Sequence, residues 1–152
     1  MAVKRRLVAL GVVAAALFAW AIPTVTAAKA THLSGGGTAS ISQVAFNVTI
    51  GPSGSASGSF ECLMAGRSAF VLGAFGLAHN MIVHATPTSG TVSGSVVRFS
   101  DDHARLSLDG NTRMNVHVQV WVDAATQTFQ LTVLEVGAMP VETFLSGGVH
   151  LS

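Results

Sequence analysis

The stretch Arg113-Met114-Asn115-Val116-His117-Val118-Gln119-Val120-Trp121-Val122 decides the fold class of this chain. Every second residue is apolar, and all the residues between them are polar except the last, which is an indole. Side chains alternate between the two faces of a β-strand, so this period of two predicts a strand with one buried and one exposed face. The predicted buried face carries Met114, Val116, Val118, Val120 and Val122.

Two shorter alternating stretches flank this strand. Residues 104–108 precede it, and the connecting Asp109-Gly110-Asn111 suits the positive φ angles of a tight hairpin turn. Residues 129–133 follow it with the same alternation of apolar and polar side chains. We therefore expect three consecutive strands to form an antiparallel meander.

Further strands are predicted on both sides of the meander, and no helical periodicity follows the first 30 residues. Asp101-Asp102-His103 is interpreted as a solvated turn before the strand at residue 104. Even spacing of short strands is typical of a sandwich or a barrel, and a barrel hides its strand edges. We expect one all-β antiparallel domain over residues 38–152, a β-barrel or β-sandwich of about eight to ten short strands. Its remaining candidate strands are residues 44–50, 60–64, 69–72, 81–83 and 91–99, with 144–145 and 149–151 on either side of a turn at 146–148.

The N-terminal 30 residues have the pattern of a signal peptide. Lys4-Arg5-Arg6 precedes an apolar run over residues 7–22, and small residues that suit cleavage after Ala27 or Ala30 follow. The apolar run is shorter than the roughly 20 residues of a spanning helix, so we expect cleavage and no stable membrane insertion afterwards. The predicted location is secreted, periplasmic or cell-surface. Residues 31–37, which include Ser34-Gly35-Gly36-Gly37, are predicted to be a flexible lead-in.

Charge argues against two classes of partner for the segment after the signal peptide. Residues 31–152 contain four arginines against seven acidic residues, a formal net charge of −3 with histidine neutral. Nucleic-acid binding requires a basic face, and so does docking on anionic lipid. We expect neither. The single cysteine, Cys62, cannot form an internal disulfide and is predicted to be buried as a small apolar residue.

Three segments together resemble a known family. They are Ser34-Gly35-Gly36-Gly37, residues 78–86 leading into 92–99, and the ending Ser146-Gly147-Gly148-Val149-His150-Leu151. The chain resembles the post-COAP type of bacterial exported β-domain over nearly all of residues 31–152. Members often carry Asp-His-Gly-Thr-Gly where this chain has Leu77-Ala78-His79-Asn80, so only His79 is shared there. The resemblance implies an exported or surface-associated β-module of unassigned activity, and it implies no catalytic residues.

The six histidines are the residues that suggest a metal site, and His79, His84 and His103 are the weak candidates. A zinc site requires three or four ligands that converge on one ion. A spacing of five places His79 and His84 on opposite faces of a strand unless a turn or bulge intervenes. The alternative is a set of ordinary surface or hydrogen-bonded histidines, and we expect no cofactor.

The exposed face of the 113–122 strand offers two candidates for surface contact, Trp121 and His117. An aromatic ring presents an apolar face to which a sugar can bind, but a tryptophan can instead cap an edge or pack beneath a loop, and the usual burial of tryptophan favours that arrangement. No nucleophile elbow and no facing pair of carboxylates is recognisable, so no catalytic residue is assigned.

Two functions are compatible with these patterns. The first is an exported non-catalytic β-module with a binding or structural role, whose partner is a protein, a glycan or a small apolar ligand. The alternative is a small barrel that holds an apolar molecule in its interior, as a carrier or a cyclase-like enzyme. A filled interior favours the first function, and a hollow interior favours the second.

Overall fold

The computed structural model of the chain describes residues 29–66 and 68–152. The predicted signal peptide, residues 1–30, lies almost entirely outside the described residues. Within these described residues, ten strands and one short helix follow one another. They are β1 (Thr31–Ala39), β2 (Ser42–Ile50), β3 (Ala56–Met64), α1 (Ala69–Phe75), β4 (Met81–Ala85), β5 (Ser89–Ser93), β6 (Val96–Leu108), β7 (Thr112–Asp123), β8 (Thr128–Val133), β9 (Gly137–Ala138) and β10 (Glu142–Leu151).

All ten strands belong to a single antiparallel sheet, in the order β10-β1-β2-β3-β4-β6-β7-β8-β9, with β5 also paired to β6. The predicted all-β antiparallel domain is therefore confirmed, as one continuous sheet. The two ends of the sheet meet where β10 also pairs with β8, but only two residue pairs form there. The sheet is thus partly closed and is not a regular barrel.

The predicted meander is confirmed as β6, β7 and β8. Asp109 and Gly110, in the turn between β6 and β7, have φ angles of 50° and 73°, as the turn composition predicts. Along β7 the valines of one face are buried, while Asn115, His117 and Gln119 of the other face are exposed. The period of two therefore assigned both faces of this strand correctly.

Phenylalanine side chains fill the interior of the curved sheet. Phe46 of β2 lies 5.2 Å from Phe60 of β3 and 5.7 Å from Phe129 of β8, measured between ring centroids. Phe99 of β6 and Phe144 of β10 lie 6.5 and 6.3 Å from the same ring. These separations are within the range in which aromatic rings attract each other. Rings from five strands thus meet at Phe46, and Cys62 is buried in the same core, as predicted.

The expected flexible lead-in at residues 31–37 is wrong, because this segment is strand β1, paired with β2 on one side and β10 on the other. Glycine is required here by close backbone approach. A Cβ atom on Gly36 would lie 2.3 Å from the carbonyl oxygen of Val44, and one on Gly37 would lie 2.0 Å from that of Ser146. The glycine run is a packing feature of the sheet.

The run at residues 69–72, predicted as a strand, is helix α1. Ser68 caps its N-terminus by accepting a hydrogen bond from the backbone N–H of Val71, and Gly76 ends it with a φ angle of 72°. Only Val71 of the helix is fully buried. A single turn or two of helix is too short for a 3.6-residue period to be visible in the sequence.

Two segments that were predicted to be turns between strands lie inside strands. Asp101-Asp102-His103 is a bulge inside β6, where the buried Asp101 carboxylate accepts hydrogen bonds from the backbone N–H groups of Thr86 and His103. Ser146-Gly147-Gly148 continues strand β10. Conversely, the single strand predicted at residues 91–99 is two strands, because Gly94, with a φ angle of 59°, turns β5 back into β6.

Side chains complete the closure that the short β8–β10 pairing begins. The Gln127 side-chain amide donates to the carbonyl of Val149 and accepts from its N–H, at 2.9 Å each, so it acts like one more residue pair of the sheet. The fully buried Glu142 carboxylate accepts from the Ile41 N–H at 2.8 Å and from the Ser42 hydroxyl at 2.9 Å. These contacts hold β10 against the β7–β8 connection through Gln127 and against the β1–β2 connection through Glu142.

Within the part of the chain described here, no helix is long and apolar enough to cross a membrane.

Candidate functional site

The three histidines proposed as metal ligands lie in different local settings. His79 precedes β4, and its Nδ1 lies 2.5 Å from the Asp109 carboxylate. His84 is within β4, and its Nδ1 lies 3.1 Å from the carboxylate of its cross-strand neighbour Glu61. His103 is exposed at the bulge of β6. In residues 29–66 and 68–152, no three or more His, Cys, Asp or Glu side chains are grouped so that they could hold a metal ion.

The pair of His79 and Asp109 fastens the β6–β7 hairpin to the start of β4. Asp109 accepts a second hydrogen bond from the Asn80 N–H at 2.8 Å and returns one from its own N–H to the Asn80 carbonyl at 2.9 Å. The hydrogen bond from His79, with that from Asn80, lowers the pKa of Asp109 below its ordinary value. This geometry supports a structural role for His79.

His117, a candidate for surface contact, is held by the turn after β8. Its Nδ1 lies 2.5 Å from Glu135 Oε1, and its backbone N–H donates to the same carboxylate. The hydrogen bond with Glu135 raises the pKa of His117 above the ordinary 6.5, and it lowers that of Glu135. His117 is therefore already engaged with its own chain.

Trp121, the second candidate, lies half-buried in the middle of the sheet, on the outer face of β7 between β6 and β8. Tryptophan at this position neither caps a sheet edge nor joins the interior core. Antiparallel register places polar side chains on both sides of it. One row across the strands is Thr91, Arg98, Trp121 and Gln130, and the adjacent row is Ser89, Ser100, Gln119 and Thr132.

These two rows form the floor of an open groove of about 880 Å³, which we call the Trp121 groove. Gly54, Gly90 and Val141, which precedes β10, also line the groove. Neighbouring strands are about 4.8 Å apart, so the floor measures about 14 Å from β5 to β8. Such a surface accommodates an extended ligand.

Charge in the Trp121 groove is confined to one side chain. Of the described residues that line it, only Arg98 carries a formal charge, and the other polar groups are amides and hydroxyls. Gln130 donates its side-chain N–H to the Met139 carbonyl at 2.8 Å, which fixes its orientation and leaves its amide oxygen free to accept. The groove thus offers an aromatic ring, hydrogen-bonding groups and one cation, but no general acid or base.

The buried thiol is not available as a nucleophile. Cys62 is fully buried, and this burial raises its pKa to about 12 despite an opposing hydrogen bond from Ser42. Reactive cysteines have lowered pKa values and are partly exposed. Cys62 therefore contributes packing in the core.

Sequence reasoning identified Trp121 but missed the residues around it. Gln119 was recognisable from the same alternation, since it precedes Trp121 by two on the exposed face. Arg98 and Gln130 lie on other strands, and their proximity depends on a cross-strand register that one sequence does not reveal.

Comparison with protein-family models, with curated proteins and with solved structures finds no match for this chain. The resemblance to the post-COAP type of exported β-domain therefore stays a hypothesis.

Proposed function

We propose that this chain is an exported, non-catalytic binding module whose ligand lies in the Trp121 groove. The observation that supports it most directly is the groove itself, where an aromatic ring, two amides and a guanidinium share one open face. Binding sites combine apolar surface with a few placed polar groups. The signal-peptide pattern of residues 1–30 supports the location outside the cytoplasm.

The filled interior supports an outer binding surface over an internal carrier site. A carrier needs empty space between the opposite walls of its sheet. In this sheet the ring of Phe46 contacts those of Phe60 and Phe129, which belong to different strands, so the interior is filled. None of the described groove residues is an Asp, Glu, His, Cys or Lys that could act as a general acid or base or activate a hydroxyl, which supports a binding role.

Nuclear magnetic resonance with four probes tests this function. Maltotriose, trigalacturonate, triglutamate and laurate represent a neutral saccharide, an acidic saccharide, an acidic peptide and an apolar carrier ligand. The readouts are the indole N–H of Trp121 and the methyl groups of the core residues Val48 and Leu131, with Trp20→Phe used to assign the indole signals. We expect at least one polar probe to shift the Trp121 signal and laurate to leave the core methyl signals unchanged. Core shifts with laurate would contradict the proposal, and so would an indole signal that no polar probe moves.

N-terminal sequencing of protein recovered outside the producing cells tests the export part. A first residue of Ala28 or Thr31 is the expected result, and an intact N-terminus on protein retained in the cytoplasm would contradict it.

A further inference from the structure

The Arg98 guanidinium is the feature of the Trp121 groove that the binding function leaves unexplained. Its side chain is exposed, and none of the ion pairs in the described part of the chain involves it. Residues 31–152 have a formal net charge of −3, yet the only charge among the described residues that line the groove is positive. An unneutralised cation beside an indole favours a ligand that carries a negative charge.

The middle of the groove floor lies over the face of the sheet. Strands β6 and β7 are paired on both sides there, whereas among the described strands β5 pairs with β6 alone. An extended peptide that adds to a sheet needs unpaired backbone groups at an edge, and β6 and β7 do not offer them around Trp121. Recognition at Trp121 therefore comes from side chains.

Those side chains match the chemistry of a saccharide. The apolar C–H face of a sugar ring packs on an aromatic ring, and its hydroxyls both donate and accept hydrogen bonds. Trp121 supplies the ring, while Gln119, Gln130 and Thr132 supply amide and hydroxyl groups on the same face. The floor of about 14 Å is wider than a single sugar ring, which favours a chain of several residues.

We propose that the Trp121 groove binds a saccharide chain that carries carboxylates, with a sugar ring on Trp121 and a carboxylate paired with Arg98. This inference rests on the proposed binding function and specifies its ligand class. Arginine forms a bidentate pair with a planar carboxylate, which distinguishes an acidic sugar from its neutral counterpart.

Titration with trigalacturonate and with its methyl ester tests the ligand class, because esterification removes the charge of each carboxyl group and otherwise adds only a methyl group. The full chain carrying Trp20→Phe leaves Trp121 as its only tryptophan, so its fluorescence reports the groove. We expect the acid to bind about tenfold more tightly than the ester. Arg98→Gln should remove that difference, and Trp121→Ala should weaken the binding of both, read by calorimetry.

Arg113→Gln is the matched control, since it removes an exposed arginine of β7 that does not line the groove. This variant should keep the tenfold preference for the acid.

Equal affinity for the acid and the ester would overturn the proposal that the ligand is acidic, while leaving the binding function in place. Tighter binding of triglutamate than of trigalacturonate would overturn the proposal that the ligand is a saccharide. If trigalacturonate and its ester both leave the fluorescence unchanged, but maltotriose or triglutamate shifts the Trp121 indole signal, only this inference fails. If no polar probe shifts that signal, the proposed binding function fails as well.

Discussion

Adjacent residues of β7 have opposite environments, and this contrast makes the face assignment testable. Val118 is 1% exposed and packs in the core, whereas His117 lies on the outer face. Val118→Asp places an unpaired charge in an apolar interior, at a cost of several kcal/mol, and should unfold the domain. His117→Ala should lower the melting temperature only slightly in circular dichroism. Equal effects of the two substitutions would show that the faces are misassigned.

The contact between His117 and Glu135 predicts a pH dependence. The raised pKa of His117 stabilises the fold below its ordinary value of 6.5, and this contribution is lost as pH rises through the raised value. The lowered pKa of Glu135 stabilises the fold above its ordinary 4.5, and this contribution is lost as pH falls through the lowered value. The pair therefore contributes most between these two ordinary values. Glu135→Gln should lower the pKa of His117 towards 6.5 in a proton NMR titration, and an unchanged titration would refute the contact.

At the scale of elements, the glycines of β1 define how closely its neighbours approach. Gly36 has a φ angle of 153°, and an added Cβ would meet the Val44 carbonyl oxygen. Gly36→Ala should lower the free energy of unfolding by about 2 kcal/mol or more in denaturant titrations. The substitution both strains the backbone at this φ angle and brings the new Cβ into a clash with a neighbouring backbone. Gly73→Ala is the control, since nothing lies within 4 Å of its added Cβ in helix α1. It should be neutral or stabilise by up to about 1 kcal/mol. Similar losses at both sites would argue against the close approach of β1.

The closure between β8 and β10 is extended by one side-chain amide, that of Gln127. Gln127→Ala removes its hydrogen bonds to the N–H and carbonyl of Val149 and to the Ala124 carbonyl. Leaving these half-buried backbone groups without partners should cost about 1–3 kcal/mol and speed hydrogen exchange at the Val149 amide. Gln43→Ala, at an exposed glutamine of β2, should change stability by less than about 0.5 kcal/mol. An unaltered exchange rate at Val149 in Gln127→Ala would contradict this closure.

For the whole molecule, alternation alone predicted the class, the meander and most strands, because burial imposes a period of two wherever one face meets the core. It failed at residues 34–37 and 146–148, where glycine was interpreted as loop although close backbone approach requires it inside strands. It also failed at residues 101–103, where a buried carboxylate replaces missing backbone pairing in a bulge. In each case, a deciding contact joins residues that are far apart in sequence, such as Asp101 and Thr86.

The candidate site was predictable only in part for the same reason. Trp121 was visible on the exposed face of its strand, but Arg98 comes beside it through the pairing of β6 with β7. The ten strands bring residues far apart in sequence onto one outer face, while the core of phenylalanines occupies the inner face. The described residues therefore form a filled scaffold, and the proposed binding groove lies on its outer face.

A crystal structure of the protein soaked with trigalacturonate tests this account most directly. It should show the saccharide across β5 to β8, with one ring on Trp121, a carboxylate on Arg98 and the phenylalanine core unchanged around Phe46. A saccharide bound elsewhere on the sheet, or an interior that opens between Phe46 and Phe129 to hold it, would contradict the account.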